Sequence, residues 1–333
     1  MEPSERRFVP STPVDLRLTL GIHQRGPRDP TIRFSRDGST WRTCRTPDGP
    51  ATIRLVPNGD GIRAQAWGAG AAWALDQAPE LVGADEDPAA VAEFAGLVVA
   101  GGNRLLVTLL PRYQGIRIGR TVRVLEALVP AIIEQKVTGA EASTAFVALV
   151  RRHGEPAPGP WDTDELRTDA RPVARPVPMR DARPVPMRVM PAPETLAGLP
   201  GYAYHPLGLE RRRADAIRFA ASRAARVEEC ATKALPDAYA RLRALPLVGP
   251  WTAAEVGLRA LGDPDAVSVG DFHLAHAVCW ALAGEERGTD ERMLELLAPY
   301  AGHRARVIRL IEAEGIHPPR RGPRMAPRSI AGL

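Results

Sequence analysis

The chain has 333 residues, enough for about two domains with real cores, and its 44% hydrophobic and 25% charged content is that of a soluble globular protein. No apolar run approaches the roughly 20 residues of a membrane span. The opening MEPSERRFVP is not a signal peptide, so a cytoplasmic protein is expected. Cys44, Cys230 and Cys279 lie far apart and are odd in number, which excludes a disulfide scaffold and any cysteine-based metal spacing. The net charge of +5 and pI near 9.5 favour a polyanionic partner, although only Lys136 and Lys233 are lysines and the rest of the positive charge is arginine.

The N-terminal part reads as strands. Val14, Leu16, Leu18 and Leu20 alternate with polar residues at period two, and the runs TIRF, TWRTCRT, ATIRLVP and GIRAQAW follow. Asp37-Gly38, Pro47-Asp48-Gly49 and Asn58-Gly59-Asp60-Gly61 supply the turns of an antiparallel meander. Helical segments are expected near residues 70–78 and 88–99, and Trp67 and Trp73 are read as core.

From about residue 121 the alternation stops. Leu125, Leu128, Val129, Ile132, Ile133 and Val137 share one helical face, with Pro130 a kink or a tightened start. That face ends in the polar run Glu134, Gln135 and Lys136. A second helix is expected over about 140–152. The segment 170–190 then carries RPVPMR twice, eight residues apart, with Arg171, Arg175, Arg180, Arg183 and Arg188. Proline at this density predicts an extended, solvated surface loop outside any active site. Further helices are expected near 191–199, from Leu209 through Cys230, and near 289–298 and 302–314. The HPPRRGPRMAPRSIAGL tail reads as disordered.

The stretch LPLVGPWTA, Leu245 to Ala253, organises the chain. Ala238, Leu242 and Leu245 bring one helical pattern into it, and Trp251, Glu255, Leu258 and Leu261 carry another out to a Gly262 stop. About four residues of turn are left between them. Gly249 is expected to take a backbone angle closed to other residues and to admit another molecule to the main chain. Pro250 suits the first helical position. Free amides at such a helix start suit a phosphate oxygen. Twenty-two residues beyond Gly249, Asp271 opens a further helix in VSVGDFHLAHAV, as an N-cap or as something more.

Together these pieces resemble the helix-hairpin-helix DNA glycosylases, specifically the 3-methyladenine DNA glycosylase II branch. The match extends upstream to LEALVPAIIEQKVTGAEAS and downstream to PYAGHRARVIRLI, and covers most of the chain beyond residue 120. The resemblance implies an α+β fold, with an N-terminal antiparallel sheet and helices over residues 1–120. An all-α glycosylase domain would follow over 121–316, before the tail at 317–333. It implies a monomer that acts on double-stranded DNA, flips out an alkylated purine and hydrolyses its N-glycosidic bond. The alternative is a catalytically idle DNA-binding protein on the same fold.

The resemblance also assigns roles. Asp271 becomes the catalytic carboxylate, and Asp263 and Asp265 are read as loop formers. Trp251, Glu255, Gln135 and Tyr300 are assigned to the substrate pocket. Lys136, Leu247, Gly249, Trp251 and Thr252 are assigned to DNA, with Gln135 and Lys136 at the family's minor-groove wedge. Main-chain carbonyls of Arg243, Leu245 and Val248 form a possible Na+ or K+ site; no other cofactor and no iron–sulfur cluster are expected. Two family aromatics are replaced, at Glu255 and near Arg309, with Tyr202 and Tyr300 as possible substitutes. Glu255, one turn after Trp251, is expected to favour cationic bases by direct attraction. Bifunctional members carry a lysine just after the hairpin; Trp251 stands there, so no strand cleavage is expected.

Overall fold

The computed structural model of the chain describes residues 2–161 and 186–319. The strand Ser4–Phe8 (β1) is followed by the short helix Leu16–Leu20 (α1). Then come Ile32–Phe34 (β2), Thr40–Thr46 (β3), Gly49–Asn58 (β4) and Gly61–Trp67 (β5), which with β1 form one antiparallel sheet in the order β1-β5-β4-β3-β2. The alternation of Val14 to Leu20 therefore does not make a strand. The Asp15 side chain accepts the Leu18 N–H at 2.8 Å and nucleates a helical turn that buries Leu16, Thr19 and Leu20. Leu16 and Leu20, four residues apart, share a face in a helix as in a strand, whereas Thr19 joins them only in the helix.

Helices Ala71–Leu81 (α2), Pro88–Gly101 (α3) and Arg104–Arg112 (α4) complete the N-terminal third. The sequence reading missed α4, whose start is marked by Asn103 accepting the Leu106 N–H at 3.2 Å. One sheet face, with Ile53, Leu55 and Ala64, buries against α2 through Leu75, Ala78 and Leu81. On the other face Trp41 and Trp67 stack at 5.3 Å, so Trp67 is core as expected. Trp73 packs half-buried on the sheet core.

The helical part begins with Val124–Ile133 (α5), which keeps Pro130 inside it, and Gly139–His153 (α6), started by a Thr138/Glu141 capping box. The strands Glu155–Pro156 (β6) and Arg188–Val189 (β7) pair antiparallel and close the base of the proline-rich insertion. Most of that repeat lies outside the described residues. Its last part is not solvated as expected, because Met187 is buried with the Trp41–Trp67 stack and Arg188 bonds the Gly154 carbonyl.

Pro193–Gly198 (α7) and Gly201–Tyr204 (α8) follow. The single helix expected from Leu209 to Cys230 is two, Arg211–Ala221 (α9) and Ala224–Glu228 (α10). It breaks at Ser222–Arg223, where the Ser222 hydroxyl bonds back to the Phe219 carbonyl at 2.8 Å and Arg223 leaves helical geometry. The remaining helices are Leu235–Arg243 (α11), Pro250–Val256 (α12), Leu274–Ala283 (α13), Asp290–Leu297 (α14) and Arg304–Glu314 (α15).

A helical core joins α5, α6, α9, α11 and α12. Another joins α13, α14 and α15 with Phe94 and Val98 of α3 and Leu106 and Leu109 of α4. A boundary near residue 120 thus cuts through a shared core: α3 and α4 follow the sheet in sequence but pack with the C-terminal helices. Among the described residues no helix is long and apolar enough to cross a membrane. Residues 320–333, most of the expected tail, lie outside the described residues.

Candidate active site and DNA-binding hairpin

The helices α11 and α12 pack closely because Gly257, in the π-helical turn Gly257–Leu261 that extends α12, leaves room for the Tyr239 ring. A Cβ at Gly257 would sit 1.9 Å from the Tyr239 hydroxyl, which donates to Asp263 at 2.6 Å. Asp263 therefore ties the two helices. Asp265 likewise holds Arg304 at the start of α15, as loop formers would.

Between α11 and α12 run six residues, Ala244 to Gly249, not about four. The left-handed residue in this turn is Leu247, at φ 62°, and not Gly249, which has ordinary extended geometry at φ −89°. A left-handed non-glycine residue costs roughly 1–2 kcal/mol, and a hydrogen bond from the turn after α5 accompanies it. The Gln135 amide donates to the Leu247 carbonyl and to the Thr252 hydroxyl, both at 2.8 Å.

The turn itself therefore does not require glycine at 249. Gly249 is exposed, and a Cβ built there meets nothing within 4 Å. The α12 N-terminus has no side-chain cap, which leaves the first-turn amides of Trp251 and Thr252 without an intrahelical partner. Thr252 itself is buried and its hydroxyl is engaged by Gln135, so it can offer only its main chain to a ligand. Lys136, next to Gln135, is exposed at φ 55°.

Asp271 is held against this hairpin by hydrogen bonds to both of its oxygens. Oδ1 accepts the His273 and Leu274 N–H groups at 2.8 and 2.9 Å and so caps α13, and Oδ2 accepts Trp251 Nε1–H at 3.1 Å. The loop is tethered twice more. The Gly270 N–H donates to Asp290 at 3.0 Å, and the Ser268 hydroxyl donates to Glu255 Oε1 at 2.6 Å.

Glu255 does lie one turn beyond Trp251, but its charge is not free. Arg259 Nη1 pairs with Oε2 at 2.6 Å, and both side chains are largely buried. Direct attraction of a cationic base, expected from the sequence, is offset by that guanidinium. Arg259 in turn donates to the Ile22 carbonyl at 3.0 Å, pinning the segment after α1 to the helical domain.

A cavity of about 30 Å³, lined by His23, Arg25, Arg42, Glu126 and Arg259, occupies the seam behind it. That is room for a water or two and not for a purine. Burial and the guanidiniums of Arg42, Arg259, Arg25 and Arg309 hold the His23 imidazole well below its usual range.

The other expected pocket residues do not join this group. Tyr300 is buried in the α13–α15 core with its hydroxyl against Gly101 of α3. Arg309 donates to the Leu18 carbonyl at 2.7 Å and pairs with Glu312. Tyr202 projects into solvent from α8. The sequence reading passed over Phe272, whose ring is 80% exposed beside Asp271 and edge-on to His273 at 4.9 Å. An aromatic residue just outside the apolar face of α13 was the only signal for it.

No protein-family model matches the chain. Among solved structures, the 3-methyladenine DNA glycosylase from Archaeoglobus fulgidus superposes with a TM-score of 0.71, at 19% identity over 92% of this chain and 96% of that one. The Clostridium acetobutylicum 8-oxoguanine glycosylase/lyase in complex with double-stranded DNA superposes at 0.64, with 11% identity over 94% and 98%. The fold is that of the helix-hairpin-helix DNA glycosylases. In sequence, the chain is 30% identical over 258 residues to a protein of Mycobacterium tuberculosis named as a probable bifunctional transcriptional activator/DNA repair enzyme AlkA. That match takes in 72% of this chain and 43% of the relative, so the chain spans less than half the length of the curated protein it resembles. On this glycosylase fold, the hairpin and the aspartate that the sequence set 22 residues apart meet through a single hydrogen bond, Trp251 to Asp271.

Proposed function

We propose that the protein is a monofunctional DNA glycosylase of base excision repair that removes alkylated purines of the 3-methyladenine type. The observation that carries this reading is the Asp271 carboxylate, fixed by three N–H donors beside an uncapped hairpin helix. The main chain around Gly249 takes a phosphate, which sets register without reading sequence. A base in a duplex is out of reach, so the nucleotide is flipped at a cost of a few kcal/mol. As the N-glycosidic bond breaks, positive charge builds on the sugar. A carboxylate already oriented needs no reorganisation to stabilise it, and the same oxygens orient the attacking water. An N3- or N7-alkylated base is cationic and leaves without a dedicated acid.

The strand is left intact at the abasic site. Trp251 stands just after the hairpin, and of the two lysines Lys136 follows Gln135, the residue bonded to the hairpin turn, where it contacts phosphate. The partner is double-stranded DNA, bound by a monomer. A Na+ or K+ fits the hairpin turn: the Arg243 and Val248 carbonyls accept no hydrogen bond among the described residues, and Leu245 accepts only the Val248 N–H at 3.2 Å. Such an ion would brace the turn.

The ion pair of Glu255 with Arg259, in place of an aromatic wall, favours as second reading a DNA-binding protein without catalysis. An excision assay separates the two. Release of N3-methyladenine from duplex DNA, with none from undamaged duplex, is expected of the glycosylase; tight binding without release would establish the second reading.

A further inference from the structure

We infer that the pocket prefers alkylated guanines to alkylated adenines, with the Glu255 carboxylate accepting the two adjacent N–H groups of the guanine edge. This rests on the glycosylase reading and deepens it to a class of base. Trp251 and Glu255 share one face of α12, four residues and about 6 Å apart along the axis. Trp251 touches the carboxylate that must lie beside the sugar. A flipped purine with its sugar at Asp271 and its ring along Trp251 would bring its far edge to Glu255.

The Glu255 carboxylate is held from both sides, by Arg259 on Oε2 and by the Ser268 hydroxyl on Oε1, each at 2.6 Å. Arg259 is itself fixed by the Ile22 carbonyl. An ionised carboxylate only accepts, and each oxygen has room for about two hydrogen bonds. One site per oxygen is used, so one per oxygen remains, on a group that keeps 13% of its side-chain surface open.

Two parallel acceptors match guanine, whose N1–H and N2–H groups point the same way. Adenine offers one amine beside the N1 lone pair, which a carboxylate repels. Hypoxanthine offers one N–H beside a carbonyl oxygen, also repelled. Methylation at N3 or N7 leaves the guanine donors in place and makes them more acidic. Because Arg259 offsets the charge of Glu255, the pattern of donors outweighs attraction for cations in general. Sites built to hydrogen-bond a substrate group reject analogues lacking it by large factors, about 10⁴ or more when sealed. For a partly open site we expect about tenfold or more.

The test compares N3-methylguanine with N3-methyladenine, alike at the alkylated atom, in methylated duplex DNA. Single-turnover release of each base is divided by its spontaneous release. The expected result is an enhancement about tenfold or more greater for N3-methylguanine, with Glu255→Gln losing most of that difference because it slows release of N3-methylguanine more than release of N3-methyladenine. A second measurement needs no variant: free N7-methylguanine, which keeps N1–H and N2–H as a neutral base, should quench wild-type tryptophan fluorescence at lower concentration than free N7-methyladenine. Equal enhancements for the two bases, or equal losses in Glu255→Gln, would overturn the inference and leave the glycosylase standing. Release of neither base by the wild type would overturn the glycosylase reading itself, and this inference with it.

Discussion

Replacing Asp271 by Asn removes one charge and changes little else, because the structure separates the two jobs of the side chain. Oδ1 caps α13 through His273 and Leu274, and an Asn oxygen can keep both bonds. Oδ2 receives the Trp251 indole N–H, and an Asn amide there sets donor against donor. The stability cost is one hydrogen bond to a charged group at a half-open site, about 1.5–3 kcal/mol at most. The cost to catalysis is larger. A carboxylate about 4 Å from a cationic sugar, at an effective dielectric of about 20, supplies about 4 kcal/mol. That corresponds to roughly a thousandfold in rate. We therefore expect Asp271→Asn to fold, to bind lesion duplex within a few-fold of wild type, and to release base about a thousandfold more slowly. Single-turnover release of N3-methyladenine, with binding measured on the same duplex, reads both quantities. Release within tenfold of wild type would take Asp271 out of the mechanism.

Four further outcomes follow from the same geometry. Trp251→Phe keeps the ring but removes the bond to Asp271, so release should slow by about 10–100-fold with little change in lesion binding; an unchanged rate would make Trp251 a stacking surface alone. Gly249→Val introduces no clash within the chain, so melting should hold while damaged and undamaged duplexes are bound more weakly, with a shallower salt dependence; loss confined to the lesion duplex would rule out a backbone clamp there. Borohydride should trap no covalent complex on abasic DNA, and a trapped adduct at Lys136 would show lyase chemistry. Stability should decline as pH falls below about 6.5, because His23 titrates normally when unfolded but is held lower when folded, so the unfolded chain takes up more protons there. His23→Asn should flatten that acid limb in melting curves from pH 7 to pH 5; an unchanged slope would assign it to other groups.

The sequence by itself determined the local chemistry. Period-two runs with turn residues between them gave β2 to β5 almost to the residue, and helical spacing with Pro250 and Gly262 bounded the helix that leaves the hairpin. Asp271 alone reads as an N-cap, and it was singled out through the resemblance to the helix-hairpin-helix DNA glycosylases that its place after the Gly-Pro turn carries. Local pattern misled where two periods bury the same residues, as with Leu16 and Leu20, and where a short side chain breaks a helix, as at Ser222.

Only tertiary structure decided which groups meet. Glu255 reads as a free pocket charge until Arg259 and Ser268 are seen on its two oxygens, and Ser268 comes from a loop whose place the pattern of α12 does not encode. Tyr300 reads as a pocket aromatic until α3 closes over it. Gly249 reads as a strained turn residue, whereas Leu247 carries the left-handed angle, held by Gln135 from the turn after α5, more than 100 residues earlier. A side chain's charge and shape belong to its residue, but whether they are spent inside the protein or offered to a ligand depends on contacts between distant segments, which the chain acquires only when it closes on itself.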